Sequence, residues 1–124
     1  MNLIKAAQNL LEWNTVNLTS SSDLKKSEIG LHFADQFQVY ANGRRYDATH
    51  DNYFEFLNHF RATIGSIRYE LHEMVDGGES IAIPMTAHIA RVNGKKEVFE
   101  AILILKFNQQ GKIVLWHEVY ISVG

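Results

Sequence analysis

The sequence predicts an α+β fold in which three N-terminal helices pack on a curved, mostly antiparallel sheet, with a largely apolar pocket left between the layers. Apolar residues recur at helical spacing in three segments before Gly65, and the period then changes to two. The strand-like runs that follow are separated by glycine-containing hairpin signals. A meander of long strands needs a cover for its apolar face, and amphipathic helices supply one.

Leu3, Ala6, Ala7, Leu10, Leu11, Asn14 and Leu18 follow i, i+3, i+4 spacing, so Met1–Leu18 reads as a first helix with Trp13 flanking its apolar stripe. Lys5 and Glu12 interrupt it too often for a signal-peptide core. Thr19-Ser20-Ser21-Ser22 breaks the pattern and offers N-cap hydroxyls to a second helix, from Asp23 to about His32. Phe37, Val39 and Tyr40 make a short β-prone stretch ended by Asn42-Gly43, and Arg44–Thr49 reads as a loop. Thr49 is placed to cap a third helix from about Asp51 to Thr63, with Gly65 as its stop.

Four strand-like runs follow, Ser66–Val75, Ser80–Val92, Lys96–Asn108 and Lys112–Val123. In the third, Phe99, Ala101, Leu103, Leu105 and Phe107 are the only alternating set that is apolar throughout, so they should face the helices. A three-residue bulged turn at Asn93-Gly94-Lys95 would bring Ile83, Met85, Ala87 and Ile89 onto the same face. A two-residue turn would bury Thr86 and His88 without partners, at a cost on the order of 1–3 kcal/mol per group, which favours the bulged turn. In the last run Ile113, Leu115, His117, Val119 and Ile121 compete with Val114, Trp116, Glu118 and Tyr120, and alternation does not decide.

The chain of 124 residues, 46% apolar and 21% charged, suits one hydrophobic core and leaves no room for a second domain. Net charge is -2, with twelve basic and fourteen acidic residues scattered along the chain, so neither nucleic acid nor a membrane is expected as a partner. The lack of cysteine excludes disulfides, thiolate metal sites and cysteine nucleophiles. With no apolar stretch of spanning length and no export signal, a cytoplasmic location is the expectation. His32, His50, His59, His72, His88 and His117 lack metal-ligand spacing, and no cofactor motif is visible, so neither a metal nor a cofactor is expected.

The order of elements, with Ala82-Ile83-Pro84-Met85, the Asn93-Gly94 hairpin and Gln110-Gly111-Lys112-Ile113, resembles the nuclear transport factor 2-like superfamily, which includes ketosteroid isomerase and SnoaL-like polyketide cyclases. The resemblance implies that residues 1–124 form one cone-shaped SnoaL-like domain. It also implies that Val114, Trp116, Glu118 and Tyr120 face the cavity, joined by Trp13 of the first helix and by Tyr40 and Ala41. By the same alignment the isomerase base position holds Ala41 and the position of its hydrogen-bonding acid holds Leu103, so true ketosteroid isomerase chemistry does not transfer.

Within that frame Glu118 is the candidate proton carrier, because a carboxylate among apolar neighbours has its pKa raised toward a useful range. Facing solvent or pairing with a basic neighbour is its alternative. Tyr120 and Trp13 are candidates to hold a substrate oxygen, or else plain aromatic wall. The expected pocket wall is Tyr40, Tyr69, Met85 and Ala101, with Leu103, Leu105, Val114 and Trp116. Asp47 and His50 form a conceivable dyad at the pocket mouth, or a helix cap. Arg44 and Arg45 either attract an anion or are solvated surface. Thr86, His88, Val98, Ile102 and Ile104 fall on the outer sheet face, where an apolar patch would pair two copies as a homodimer. Two functions follow: a cofactor-free isomerase, cyclase or dehydratase acting on a small, largely hydrophobic molecule, or a noncatalytic dimeric module for ligand binding or protein interaction.

Overall fold

A computed structural model describes residues 2–124. Met1, included in the expected first helix, lies outside the described residues. Helix α1 spans Leu3–Asn17 and begins where the Asn2 side chain accepts a hydrogen bond from the Lys5 amide. Its buried face, Leu3, Ala7, Leu10, Leu11 and Asn14, is the stripe read from the spacing. Helix α2 is a single turn, Lys26–Ile29, much shorter than the expected Asp23–His32. The serine tract does not cap it, because the Ser22 hydroxyl donates to the Val16 carbonyl at 2.7 Å and bonds Thr19, closing off α1 instead. Lys25, the residue at the N-cap, makes no side-chain cap.

Strand β1 (Phe33–Ala41) and strand β2 (Arg44–Thr49) form a hairpin, so the segment expected to be a loop is a strand. Ala41 pairs with Arg44 across Asn42-Gly43, both at positive φ, which is the two-residue turn that asparagine-glycine favours. Helix α3 (His50–Arg61) starts in a capping box, Thr49 accepting from the Asn52 amide and the Asn52 side chain accepting from the Thr49 amide. It ends before Gly65, which sits instead at a bulge in strand β3 (Ile64–Leu71). A Cβ there would lie 3.2 Å from the Ala90 carbonyl oxygen, so the close backbone approach explains the glycine.

The remaining strands are β4 (Val75–Asp76), β5 (Ser80–Arg91), β6 (Lys96–Phe107) and β7 (Ile113–Ser122). Together they make one sheet ordered β2-β1-β7-β6-β5-β3, with β4 on β5. Among the described residues only the β1–β7 pairing is parallel. The helices lie on one face, α1 against β3 and β5 and α3 against β1 and β2. Ile83 stands opposite Leu103 and Met85 opposite Ala101, as the bulged turn requires, although the unpaired residues are Val92-Asn93-Gly94 rather than 93–95. Thr86 is on the outer face as expected yet is buried there, its hydroxyl donating to Glu100 at 2.7 Å and lying 2.8 Å from His72 Nε2. No helix among the described residues is long and apolar enough to cross a membrane.

Candidate functional site

The last strand owes its orientation to an irregularity that alternation cannot reveal. Lys106 pairs with Leu115 while Phe107 pairs with Ile113, leaving Val114 as the extra residue of a bulge. Ile113 is therefore fully buried, and beyond the bulge Trp116, Glu118 and Tyr120 face the helices. Asn42, at the tip of the first hairpin, fixes this end of β7. Its amide donates to the Glu118 carbonyl at 3.0 Å, and its side chain accepts from the Tyr120 amide at 2.8 Å and donates to the Tyr120 carbonyl at 3.0 Å.

Between sheet and helices lies a cavity of about 500 Å³. Its existence follows from side-chain size along the inner face of the strands. Toward one end the face carries Ile81, Ile83, Leu103, Leu105 and Ile113, all essentially inaccessible and packed with Leu10 and Phe33. Toward the other end alanines replace them. Ala41 stands between Arg44 and Glu118, Ala101 between Tyr120 and Met85, and Ala87 between Phe99 and Tyr69. Three methyl groups where branched chains would otherwise stand leave the space unfilled.

The polar groups on this wall are few and desolvated. Burial pushes the Glu118 carboxyl above its ordinary value of 4.5, and the adjacent Trp116 indole offsets this in part. No ion pair reaches Glu118 among the described residues. Burial raises the Tyr53 and Tyr69 phenols, and the Glu118 charge adds to the rise in both, which places the three groups in one neighbourhood. Burial also pushes Tyr46 up to about 12. Asn14 Nδ2 donates to the Tyr69 hydroxyl at 3.4 Å, so that hydroxyl keeps its own proton free for another acceptor. These phenols are neutral donors at ordinary pH.

Of the expected residues, Tyr69, Met85, Ala101, Leu103, Trp116, Glu118 and Tyr120 line the cavity. Trp13 does not. Its indole N–H donates to Glu28 at 3.1 Å and its ring lies against His32, both away from the cavity. Tyr40 is on the outer face, its ring 5.0 Å from that of His117 and beneath the Arg45 guanidinium, because it alternates with the inward Val39 and Ala41. Leu105 belongs to the packed end, and Val114 is displaced by the bulge. The Asp47–His50 dyad does not form. His50 Nε2 donates to the Phe33 and Ala34 carbonyls at 3.1 and 2.9 Å, and Asp47 meets Gln38 at 3.5 Å on the surface. Among the described residues no three histidine, aspartate or glutamate side chains converge as a metal site would require.

Sequence reasoning missed Tyr46 and Tyr53 as cavity residues, placed Asn14 only in the apolar stripe, and left Arg44 undecided. A buried asparagine in the middle of an aliphatic helical stripe was the available signal, since such a group needs a partner from another element.

A profile of the SnoaL-like domain matches residues 20–116. No curated protein sequence matches the chain. Among solved structures, a nuclear transport factor 2-like protein of unknown function from Burkholderia pseudomallei is similar at TM-score 0.70 and 16% identity, over 95% of this chain and 89% of that one. One of the same description from Exiguobacterium gives TM-score 0.66 and 16% identity, covering 98% of each. A Mycobacterium tuberculosis LEH-like epoxide hydrolase gives TM-score 0.70 and 13% identity, over 96% of this chain and 82% of that one. At such identities the likeness is one of fold.

Proposed function

Because the chain belongs to the SnoaL-like domain family, we propose that its cavity receives a small, largely hydrophobic carbonyl compound and that Glu118 moves a proton on it without a cofactor. The observation that carries this reading is an unpaired carboxylate in the wall of an otherwise mostly apolar cavity, its pKa raised by burial. Glu118 takes the proton from the carbon next to the carbonyl, and the electron pair of that C–H bond moves onto the carbonyl oxygen as an enolate. Tyr120 and the Tyr69 hydroxyl donate hydrogen bonds to that oxygen, Tyr69 replacing Trp13 in the role expected from the sequence. Where a C=C bond is conjugated to the enolate, return of the proton from Glu118 to its far carbon completes an isomerisation; expulsion of a β-hydroxyl that takes the Glu118 proton and leaves as water gives dehydration, and attack of the enolate carbon on a second carbonyl, whose π pair moves to its oxygen and takes that proton, gives cyclisation.

Exchange of α-hydrogens for deuterium in apolar cyclic ketones, followed by NMR in D2O, tests the reading. Wild-type protein should accelerate exchange of at least one such ketone, and Glu118→Gln should lower that rate about 10²-fold or more. Equal rates in the two proteins would refute proton transfer by Glu118.

A separate observation supports assembly into a homodimer. Ile102, Val119 and Ile121 cluster exposed on the outer sheet face, and such an apolar strip suits a second copy of itself. Sedimentation should give a dimer that Val119→Asp converts to monomer; a monomeric wild type would exclude it.

A further inference from the structure

On the outer face of the sheet, the side chains of β5, β6 and β7 stand in register rows, and an acid and two bases fall on opposite sides of an apolar middle row. Pro84, Ile102 and Val119 make that middle row. On one side of it Glu100 stands between Thr86 and Ile121. On the other side His117 stands beside Ile104, and Lys106 lies one row beyond. Glu100 is held in place as few exposed glutamates are. The buried Thr86 hydroxyl donates to its Oε1 at 2.7 Å, and His72 Nε2 lies 3.9 Å from its Oε2, too far for a hydrogen bond. Lys106 and His117 pair with no carboxylate among the described residues.

We infer that two copies of the chain pair about an axis along the middle row, Glu100 of each meeting the partner's His117 and the partner's Lys106, and that proton uptake by His117 tightens the pair. The inference rests on the reading of this face as a homodimer contact and adds its orientation and its regulation. Two sheets packed face to face with their strands roughly aligned are related by an axis along the strands or by one across them. An axis along β6 sets Glu100 against the partner's Glu100, and like charges so placed repel. An axis across the strands, along Pro84, Ile102 and Val119, exchanges the flanking rows instead. Glu100 then lies over the partner's Ile104. The partner's His117 is one interstrand step, about 5 Å, to the side, and the partner's Lys106 is about 7 Å further along the strand. Opposite charges meet twice, once in each half of the interface.

Histidine is the side chain that changes charge between pH 5 and 8 as an ordinary matter. With His117 protonated, two cations face each Glu100; with it neutral, Lys106 acts alone. The other titratable groups here are few. His72 lies beside Glu100 within the same chain, His88 pairs with Glu70 at 3.3 Å, and the Tyr40 ring lies between His117 and the Arg45 guanidinium. Of these His72 is the one that acts on Glu100 directly, so it serves as the control.

Sedimentation equilibrium at about pH 5.5 and about pH 8 tests the arrangement. The wild-type dimer should be weaker by about fivefold or more at the higher pH, the scale of two rim ion pairs. His117→Gln should remove that pH dependence, whereas His72→Gln should keep it. Glu100→Gln, which can still accept from Thr86, should remove it as well. Glu100→Lys should be monomeric, and so should the double variant Lys106→Glu with His117→Glu. Mixing these two should restore a dimer, because each offers the charge that the other lacks. An axis along the strands predicts instead that Glu100→Lys takes wild type as its preferred partner. That preference, a pH-independent wild-type dimer, or a mixture that stays monomeric would overturn the arrangement and leave a sheet-face dimer in place. A wild type that is monomeric at both pH values removes the dimer reading itself.

Discussion

The two ends of the inner sheet face are built from the same strands by the same alternation, yet one is solid and the other hollow. On β6, Leu105 is sealed into the core and Leu103 stands where the core meets the cavity, whereas two and four residues before Leu103 the residues Ala101 and Phe99 border open space. On β7 the change runs from Ile113, fully buried, to Glu118 and Tyr120 on the cavity wall. Binary pattern specifies which face is inward at both ends. Side-chain volume alone specifies where the interior stops being core and becomes site.

The largest effect expected from breaking this contrast is at the solid end. Leu105→Ala should lower unfolding stability by about 2–5 kcal/mol in denaturant titrations, since no neighbour can close the gap. Ala101→Leu at the hollow end should change stability by less than about 1 kcal/mol. Overpacking a filled core costs roughly 1–3 kcal/mol, but here the added methyls enter empty space, and binding of small apolar compounds in thermal-shift assays should disappear.

Glu118→Gln gives the smallest and most pH-dependent effect. The folded pKa of the carboxyl lies above its ordinary 4.5, so the folded protein holds the proton more tightly than the unfolded chain does. Its contribution to stability is complete below that ordinary value and is lost as pH rises through the folded pKa. Glutamine does not titrate. The melting temperature of the variant relative to wild type should therefore increase as pH rises from the ordinary value of 4.5 through the folded pKa, then level off; a constant difference would contradict the assigned burial.

How far the sequence foretold this depends on which physical signal each segment carries. Helix α1, the Thr49 cap and the inward row of β6 follow from periodicity and capping chemistry, both local, and all three are where the residues place them. Strand β2 escaped notice because it is an edge strand. Arg44, Arg45 and Asp47 give it the charge that edges carry against aggregation, and that charge resembles a loop. Its Asn42-Gly43 turn is as explicit a hairpin signal as Asn93-Gly94, but the charged segment after it does not alternate as a strand should. Helix α2 shrank because the hydroxyls read as its cap are consumed by the end of α1. At the site, Glu118 and Tyr120 were accessible through family resemblance, whereas the bulge at Val114 that orients them leaves no mark on composition or alternation. Tyr46 and Tyr53 reach the cavity wall only through tertiary packing of β2 and α3, and Trp13 stands elsewhere because its donor is taken by Glu28 from a turn distant in sequence.

The most direct test of a desolvated proton carrier in a hollow end is a carbon-detected NMR titration of the Glu118 side-chain carboxyl, assigned by its disappearance in Glu118→Gln. A midpoint above 4.5 is predicted. A midpoint at or below 4.5 would mean that water or a cation reaches the carboxylate freely, and the proposed proton carrier would be lost.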